Sequence, residues 1–472
     1  MAAISTDYLV VGAGASGMAF VDALIDASDA DVVLVDRQHR PGGHWNHAYP
    51  FVRLHQPSAY YGVNSMPLGE DRIDETGPNA GFYERASADE ITAYYQRVLD
   101  ERFLASGRVR FFGMADHVAD RSGHRLVSRL DGTETTVQVR RKVVDATYLE
   151  SEVPSRHALP FEVDPGVRVI PPNQLVDAGV WDGSVAGYTV LGGGKTGMDA
   201  CNWLLANGVP VELIRWVRPR ESWSFNRALV QPRDQVASVI DGVSLELEAA
   251  AAAEDVGDLF DRLEACGRLL RIDADIQPTM FRGATISTSE AESLRRVTDL
   301  VRSGRVLRVG ADELVTTGGS HPSRAGEVYV DCTAIGLPRH PPRPIFEPDR
   351  ITVQTVRIGL TPFNAALLGH LEATREDDAE KNRLSPPNVY PSSATDWIPT
   401  TYTSTLAETL WGEEHDLAEW LERSRLNLAC GLRAHLQEPR MQEAIARLLT
   451  HREPALANLR RLDDRLGEGR AG

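Results

Sequence analysis

No two of the four cysteines, Cys201, Cys266, Cys332 and Cys430, lie close in sequence, so neither a paired zinc ligand set nor a CxxC or CxxxxC redox centre is encoded. Disulfide reductase chemistry is disfavoured accordingly. No window approaches ~18 uncharged apolar residues, and the N-terminus lacks the basic and apolar regions of a secretory signal. A cytoplasmic protein with no membrane association is expected. Positive charge is also in deficit: 50 Lys and Arg against 67 Asp and Glu give a net charge of −17. A field of that sign disfavours nucleic acid and anionic lipid, both of which it repels.

What is present is a repeated motif. At 472 residues the chain exceeds the size at which one hydrophobic core stops growing, so two or three units are expected. The first opens with an apolar strand at residues 8–11, which runs into Gly12, Gly14, Ser16 and Gly17. A helix-period stretch follows to about Ala27, then a strand at 32–35 that ends in Asp36 and Arg37. The second has a strand at 188–191, then Gly192-Gly193-Gly194-Lys195-Thr196-Gly197, a helix closed by Asn207-Gly208, and a strand at 211–216. Both read as dinucleotide-binding βαβ openings. Helices are expected at 87–106, 245–270 and 287–301, and amphipathic helix over much of 407–461. There, Leu417, Trp420, Leu421, Leu428 and Leu432 fall at helical spacing, and would either dock a partner or cover the chain's own core.

A glycine triplet means little without its context. Here the first Gly makes the tight turn, the second admits a pyrophosphate and the third allows the helix to pack on the strand. The residue about 20 positions beyond the loop reads the ribose. Asp36 suits ribose hydroxyls, which fits FAD or NAD. In the second unit the corresponding residue is taken as Arg215, with Arg218 and Arg220 close behind, and cations there suit the 2′-phosphate of NADPH. Lys195 and Thr196 begin a helix, where anions are favoured. A Walker A reading fails because its first glycine would be at Thr189.

Two such loops in one chain resemble the flavoprotein monooxygenases of the two-dinucleotide-binding-domain type (class B). Arg40-Pro41-Gly42-Gly43-His44-Trp45 is similar to the GG-x-W segment that in those proteins wraps the FAD, and the stretch at 49–57 is similar to a segment beside the flavin. Asp145-Ala146-Thr147-Tyr148 and residues 331–336 resemble the two domain crossovers. The family fingerprint FxGxxxHxxx(W/Y/F) is not met at Phe161-Glu162-Val163-Asp164-Pro165.

The resemblance implies an α/β fold with two Rossmann-like domains, the second inserted in the first. An FAD domain would span 1–150 and resume at 336–400, with a linker at 151–184, an NADPH domain at 185–335 and a helical segment at 401–472. It implies that NADPH reduces FAD, that reduced flavin meets O2 at C4a, and that the hydroperoxide so formed oxygenates a small organic substrate. The flavin carries the chemistry, while the protein positions it and excludes water. His55, Gln56 and Asn64 are the candidate catalytic residues, and Trp45 and Trp223 candidate pocket walls. An FAD oxidase or dehydrogenase of an amine or alcohol with an idle nicotinamide site, and a non-enzymatic FAD-binding regulator, stand as alternatives. A homo-oligomer is compatible with the sequence.

Overall fold

The computed structural model describes residues 2–121, 123–180 and 184–471. Its first unit is a seven-stranded sheet. The strand Ala2–Val11 runs parallel to Val32–Val35 on one side and to Glu134–Asp145 on the other, and Val109–Phe112 extends the sheet beyond Val32–Val35. Glu134–Asp145 is long enough to serve two partners. Its first half pairs antiparallel with Gly123–Ser128, whose own neighbour is Ala115–Asp120, and its second half pairs parallel with Arg350–Thr352. The last of these strands arrives from beyond the second unit, so the first unit is completed only after the second has been built.

The helix Ala15–Ala27 is buried along most of its length because the helix Thr361–Thr374 covers it. That contact is backbone-close: a Cβ on Gly369 would lie 2.4 Å from the Phe20 carbonyl oxygen. The apolar residues of 8–34, 91–109 and 345–371 form one core around these two helices.

The second unit is a parallel five-stranded sheet in the order Asp299–Val301, Ile214–Val217, Tyr188–Leu191, Val328–Asp331, Val169–Ile170. The short strand Val169–Ile170 lies within the stretch expected to be a linker, and Glu162–Val163 pairs with Val306–Val309 of the second unit's small meander. That stretch is therefore built into the second unit, because its apolar residues Phe161, Val163 and Val169 supply one side of a core. Residues 181–183 of the expected linker, and residue 472 of the expected C-terminal segment, lie outside the described residues.

Two long helical expectations break early. The expected helix at 245–270 is two helices, Ala237–Ala252 and Val256–Ala265, followed by a strand. Asp255 accepts from the Asp258 N–H and so starts the second helix afresh. The expected helix at 287–301 ends at Arg295, and Asp299–Val301 becomes the edge strand beside Ile214–Val217.

The C-terminal helices cover the chain's own core. Leu417 is buried and Trp420, Leu421 and Leu428 pack on the first unit, with the Trp420 rings stacked 4.5 Å from His370. Helix Pro439–Ala471 packs on Ala237–Ala252, where Asn458 donates to the Ala250 and Ala253 carbonyls at 2.7 and 2.8 Å. Among the described residues no helix is long and apolar enough to cross a membrane.

Candidate functional site

The two glycine loops share their backbone plan. Gly12 and Gly192 both adopt positive φ, +102° and +124°, a conformation that favours glycine. Their N–H groups donate to Val35 and Val217 at 2.8 and 2.9 Å, the last residue of the following strand in each case. A Cβ on Gly17 would fall 1.8 Å from the Gly12 oxygen, and one on Gly197 2.1 Å from the Gly192 oxygen. The third glycine of each loop is thus required by helix-to-strand packing.

The crossovers repeat as well. Thr147 donates its N–H and hydroxyl to Asp145 Oδ1 at 3.0 and 2.7 Å, and Thr333 does the same to Asp331 Oδ1 at 3.1 and 2.6 Å.

Helices Ala15–Ala27 and Lys195–Ala206 begin at Gly14 and Gly194 with no side-chain cap and no acidic residue in the first turn. Elsewhere in this chain, Ser87, Ser287 and Ser393 form full capping boxes. Uncapped N-termini on the glycine loops leave their N–H groups for an anion, which is the arrangement that holds dinucleotide phosphates. Gly194 faces open space, whereas Gly14 faces Gly43: a Cβ on Gly43 would lie 2.9 Å from Gly14 Cα. The Gly42 N–H also donates to the Ala13 oxygen at 2.9 Å, so the 40–45 segment is fixed directly over the first loop. These features fit a dinucleotide at each loop. In the first, Ser16 is half-buried in the opening turn.

Asp36 ends its strand buried, with Oδ2 accepting from the Ala13 N–H at 2.6 Å and Oδ1 from the Gln38 N–H at 2.7 Å. Burial raises its carboxyl pKa despite these bonds. Arg37 lies on the rim, paired with Glu150 at 2.7 Å.

Its counterpart in the second unit is Arg218, not Arg215. The Asp36 N–H donates to Phe112 of the neighbouring strand, and the Arg218 N–H donates to Val301 in the same way. Arg215 sits three residues earlier, with Nε 3.1 Å from Asp299 and Nη1 donating to the Pro322 carbonyl at 2.7 Å. The expected correspondence placed the arginine by sequence distance, and the strand ends later than its apolar pattern suggests. Arg218 is buried over the Trp216 ring at 4.5 Å, with Nε 2.8 Å from Glu221, and Nη1 has no hydrogen-bond partner among the described residues. It also lies against the loop itself, since a Cβ on Gly193 would meet Arg218 Cγ at 2.9 Å.

Lys195 turns back along its helix to pair with Asp199, whose other oxygen accepts from the Tyr49 hydroxyl at 2.8 Å. Thr196 lies beside the same Tyr49 hydroxyl. His55 is near this pair: burial, then the charges of Lys195, Arg227 and Arg85, push its imidazole down to about 3. The His55 carbonyl accepts from Nε of the fully buried Arg227 at 3.0 Å, and Arg227 Nη2 lies 2.7 Å from Glu290. Burial pushes the Glu290 carboxyl up, but Lys195, Arg227 and Arg85 outweigh it and hold it at about 2.

Gln56 donates to the Gly359 oxygen at 3.3 Å and lines a cavity of about 130 Å³, together with Phe225, Arg268, Thr285, Arg357 and Trp397. Arg268 and Arg357 are neutralised there by Glu246 and Glu408, each at 2.7 Å.

His55 and Gln56 are therefore brought to the junction of the units, and Asn64 is not. Its Oδ1 accepts from Ser424 at 2.9 Å, next to Ser65, which is bound to Asp22 in the middle of the first helix. Trp223 is fully buried in the core beside Phe260, and Trp397 lines the cavity in its place. Trp45 donates to the Tyr61 hydroxyl at 2.6 Å, and the adjacent His44 is pushed down to about 4 by burial.

Asp199, Tyr49, Arg227 and Glu290 were not singled out by the sequence reading. Only Asp199 had a signal, its i,i+4 spacing from Lys195. His157 also escaped notice. Its Nε2 lies 2.5 Å from Asp331 at the second crossover, and His157 and Phe161 meet the latter half of the fingerprint sought further along. No group of three or more metal-ligating side chains occurs among the described residues.

The NAD(P)-binding Rossmann-like domain family matches residues 10–67. Uncharacterised proteins of Mycobacterium bovis and of two strains of Mycobacterium tuberculosis are 46% identical over 451 residues, which is 95% of this chain and 82% of theirs. Solved structures with a similar trace include a cyclohexanone monooxygenase with cyclohexanone bound, at 14% identity and a TM-score of 0.48 over 81% of this chain and 91% of that one. A steroid monooxygenase bound to NADP has 16% identity and a TM-score of 0.48 over 78% and 85%. A flavin-containing monooxygenase from Stenotrophomonas maltophilia has 16% identity and a TM-score of 0.41 over 77% and 89%.

Proposed function

The chain belongs to the same family as the mycobacterial proteins that match it along nearly its whole length, and we propose that it is an FAD-dependent, NADPH-consuming monooxygenase of a small organic substrate. The observation that carries this reading is the duplicated loop with opposite charges at one backbone position, Asp36 in the first copy and Arg218 in the second. A carboxylate there accepts from ribose hydroxyls, and a guanidinium there takes a 2′-phosphate.

FAD, when bound, supplies the two-electron chemistry and the reaction with O2. The chain's own residues do the rest. The uncapped helix N-termini at Gly14 and Gly194 take phosphates, and Lys195 adds a cation at the second. The segment around Gly42 and Gly43 closes over the first loop. The cavity beside Gln56 gives a small molecule a partly open place at the junction of both units. The arginines in its mixed polar and apolar wall are neutralised by Glu246 and Glu408.

The test is an aerobic assay of the purified protein with NADPH and a panel of cyclic ketones and thioethers under ¹⁸O₂. One labelled oxygen in the product, with matching NADPH consumption, is expected. A flavin that is reduced only by an amine or alcohol, with no label transferred, would identify an oxidase instead.

A further inference from the structure

The loop that carries His55 and Gln56 is anchored on the second unit, mainly on the helix Lys195–Ala206 that follows its glycine loop. Tyr49 is bonded to Asp199, Phe51 is stacked on Trp203 at 5.0 Å, and Asn173 holds the His47 and Ala48 carbonyls at 3.1 and 3.0 Å. Asp199 is the hinge of this contact. One of its oxygens neutralises Lys195 and the other holds Tyr49, and both it and Lys195 are largely buried. Lys195 has no second anion within salt-bridge distance among the described residues.

We infer that Asp199 is a positioning residue with two separable effects: it competes with the nicotinamide cofactor's phosphates for Lys195, and through Tyr49 it holds the flavin-side loop in place. This rests on the reading that a phosphate binds at Gly194 and Lys195. A phosphate at that helix terminus would approach a lysine already paired to a carboxylate one turn along. Binding must therefore draw Lys195 from Asp199 and give up that ion pair. At protein-like dielectric, charges a few ångströms apart interact strongly enough to alter affinity about tenfold or more. Tyr49 needs only an acceptor, which an amide oxygen also supplies, though more weakly than a carboxylate.

The two effects separate by mutation. Asp199→Asn keeps an oxygen for Tyr49 and removes the charge, so NADP+ should bind about tenfold tighter, and the limiting rate of anaerobic flavin reduction should fall less than in Tyr49→Phe. Tyr49→Phe removes the bond and keeps the charge, so the NADP+ Kd should stay while that rate falls several-fold. A merely structural role would move both quantities together in both variants. Lys195→Gln should weaken NADP+ binding, and adding Asp199→Asn to it should restore little of the tightening. That comparison remains decisive should Asp199→Asn alone fold poorly, because the double variant leaves no buried charge unpaired.

Unchanged or weaker NADP+ binding in Asp199→Asn, or equal tightening with Lys195 absent, would overturn the inference. The wild-type control distinguishes this from failure of the functional reading: a wild-type protein that binds no NADP+ would overturn both, whereas a wild type that binds it, with an unresponsive Asp199→Asn, would overturn the inference alone.

Discussion

Arg218 and Asp36 hold matched places in two copies of one motif, and the difference in charge between them is what separates the two proposed cofactors. Arg218→Ala should therefore weaken NADPH binding about tenfold or more, the scale of one lost charge-assisted hydrogen bond, with little change for NADH. Arg215→Ala should not discriminate between the two, since Arg215 is committed to Asp299 and the Pro322 carbonyl. Dissociation constants for both nucleotides against both variants check this. Equal losses of NADPH and NADH in Arg218→Ala would show that no phosphate sits there.

The sequence carried the first loop almost completely, because Gly12, Gly17 and Asp36 are local and their spacing encodes their roles. It misassigned Arg215 because the end of a strand depends on its neighbours: only the pairing with Asp299–Val301 and Tyr188–Leu191 shows that the strand continues through Val217.

At the scale of elements, the joint between units rests on buried charge. Arg227 comes from the turn after Ser222–Asn226, and it ties the His55 loop to Thr285 and to Glu290 at the head of helix Thr288–Arg295. Removing Arg227 leaves the buried Glu290 with only Arg85 at 3.5 Å and the charge of Lys195, so Arg227→Met should cost stability, up to about 3–5 kcal/mol. Urea unfolding measures it, and a loss below about 1 kcal/mol, the range of exposed ion pairs, would contradict the burial argument. None of this joint was legible beforehand. Its members lie at 55, 85, 227 and 290, and nothing in periodicity or spacing brings such distant residues together. Asn64 illustrates the converse. It is nine residues from His55, but its chain segment has turned away to meet Ser424. The expected linker failed for a related reason, since strands as short as Glu162–Val163 and Val169–Ile170 carry no periodic signal.

At the scale of the whole molecule, burial of imidazoles makes the fold acid-sensitive. Burial pushes His44 and His370 down to about 4 and His55 to about 3. In the unfolded chain each titrates near 6.5. Between those values the unfolded state binds more protons, so the stability these groups contribute is complete above about pH 6.5 and is lost as pH falls toward 4. The urea midpoint should drop steadily from pH 7 to 5. His370→Phe, which keeps a ring against Trp420, should flatten that slope by about one proton. A midpoint independent of pH over this range would contradict the assignment.

The duplicated architecture itself followed from the repeat of one motif at Gly12 and Gly192, and the strand orders of both sheets agree with it. The cavity at their junction did not, because its walls are drawn from both units and from the C-terminal helices. The claim on which the account turns is that the two sites work as a pair. Anaerobic mixing of the FAD-loaded protein with NADPH or NADH, followed by absorbance near 450 nm, tests it directly, with about 450 nm being the oxidised-flavin band. Rapid bleaching by NADPH, much slower bleaching by NADH, and return of the colour on admitting O2 are expected. A flavin that stays oxidised with both nucleotides would contradict the claim.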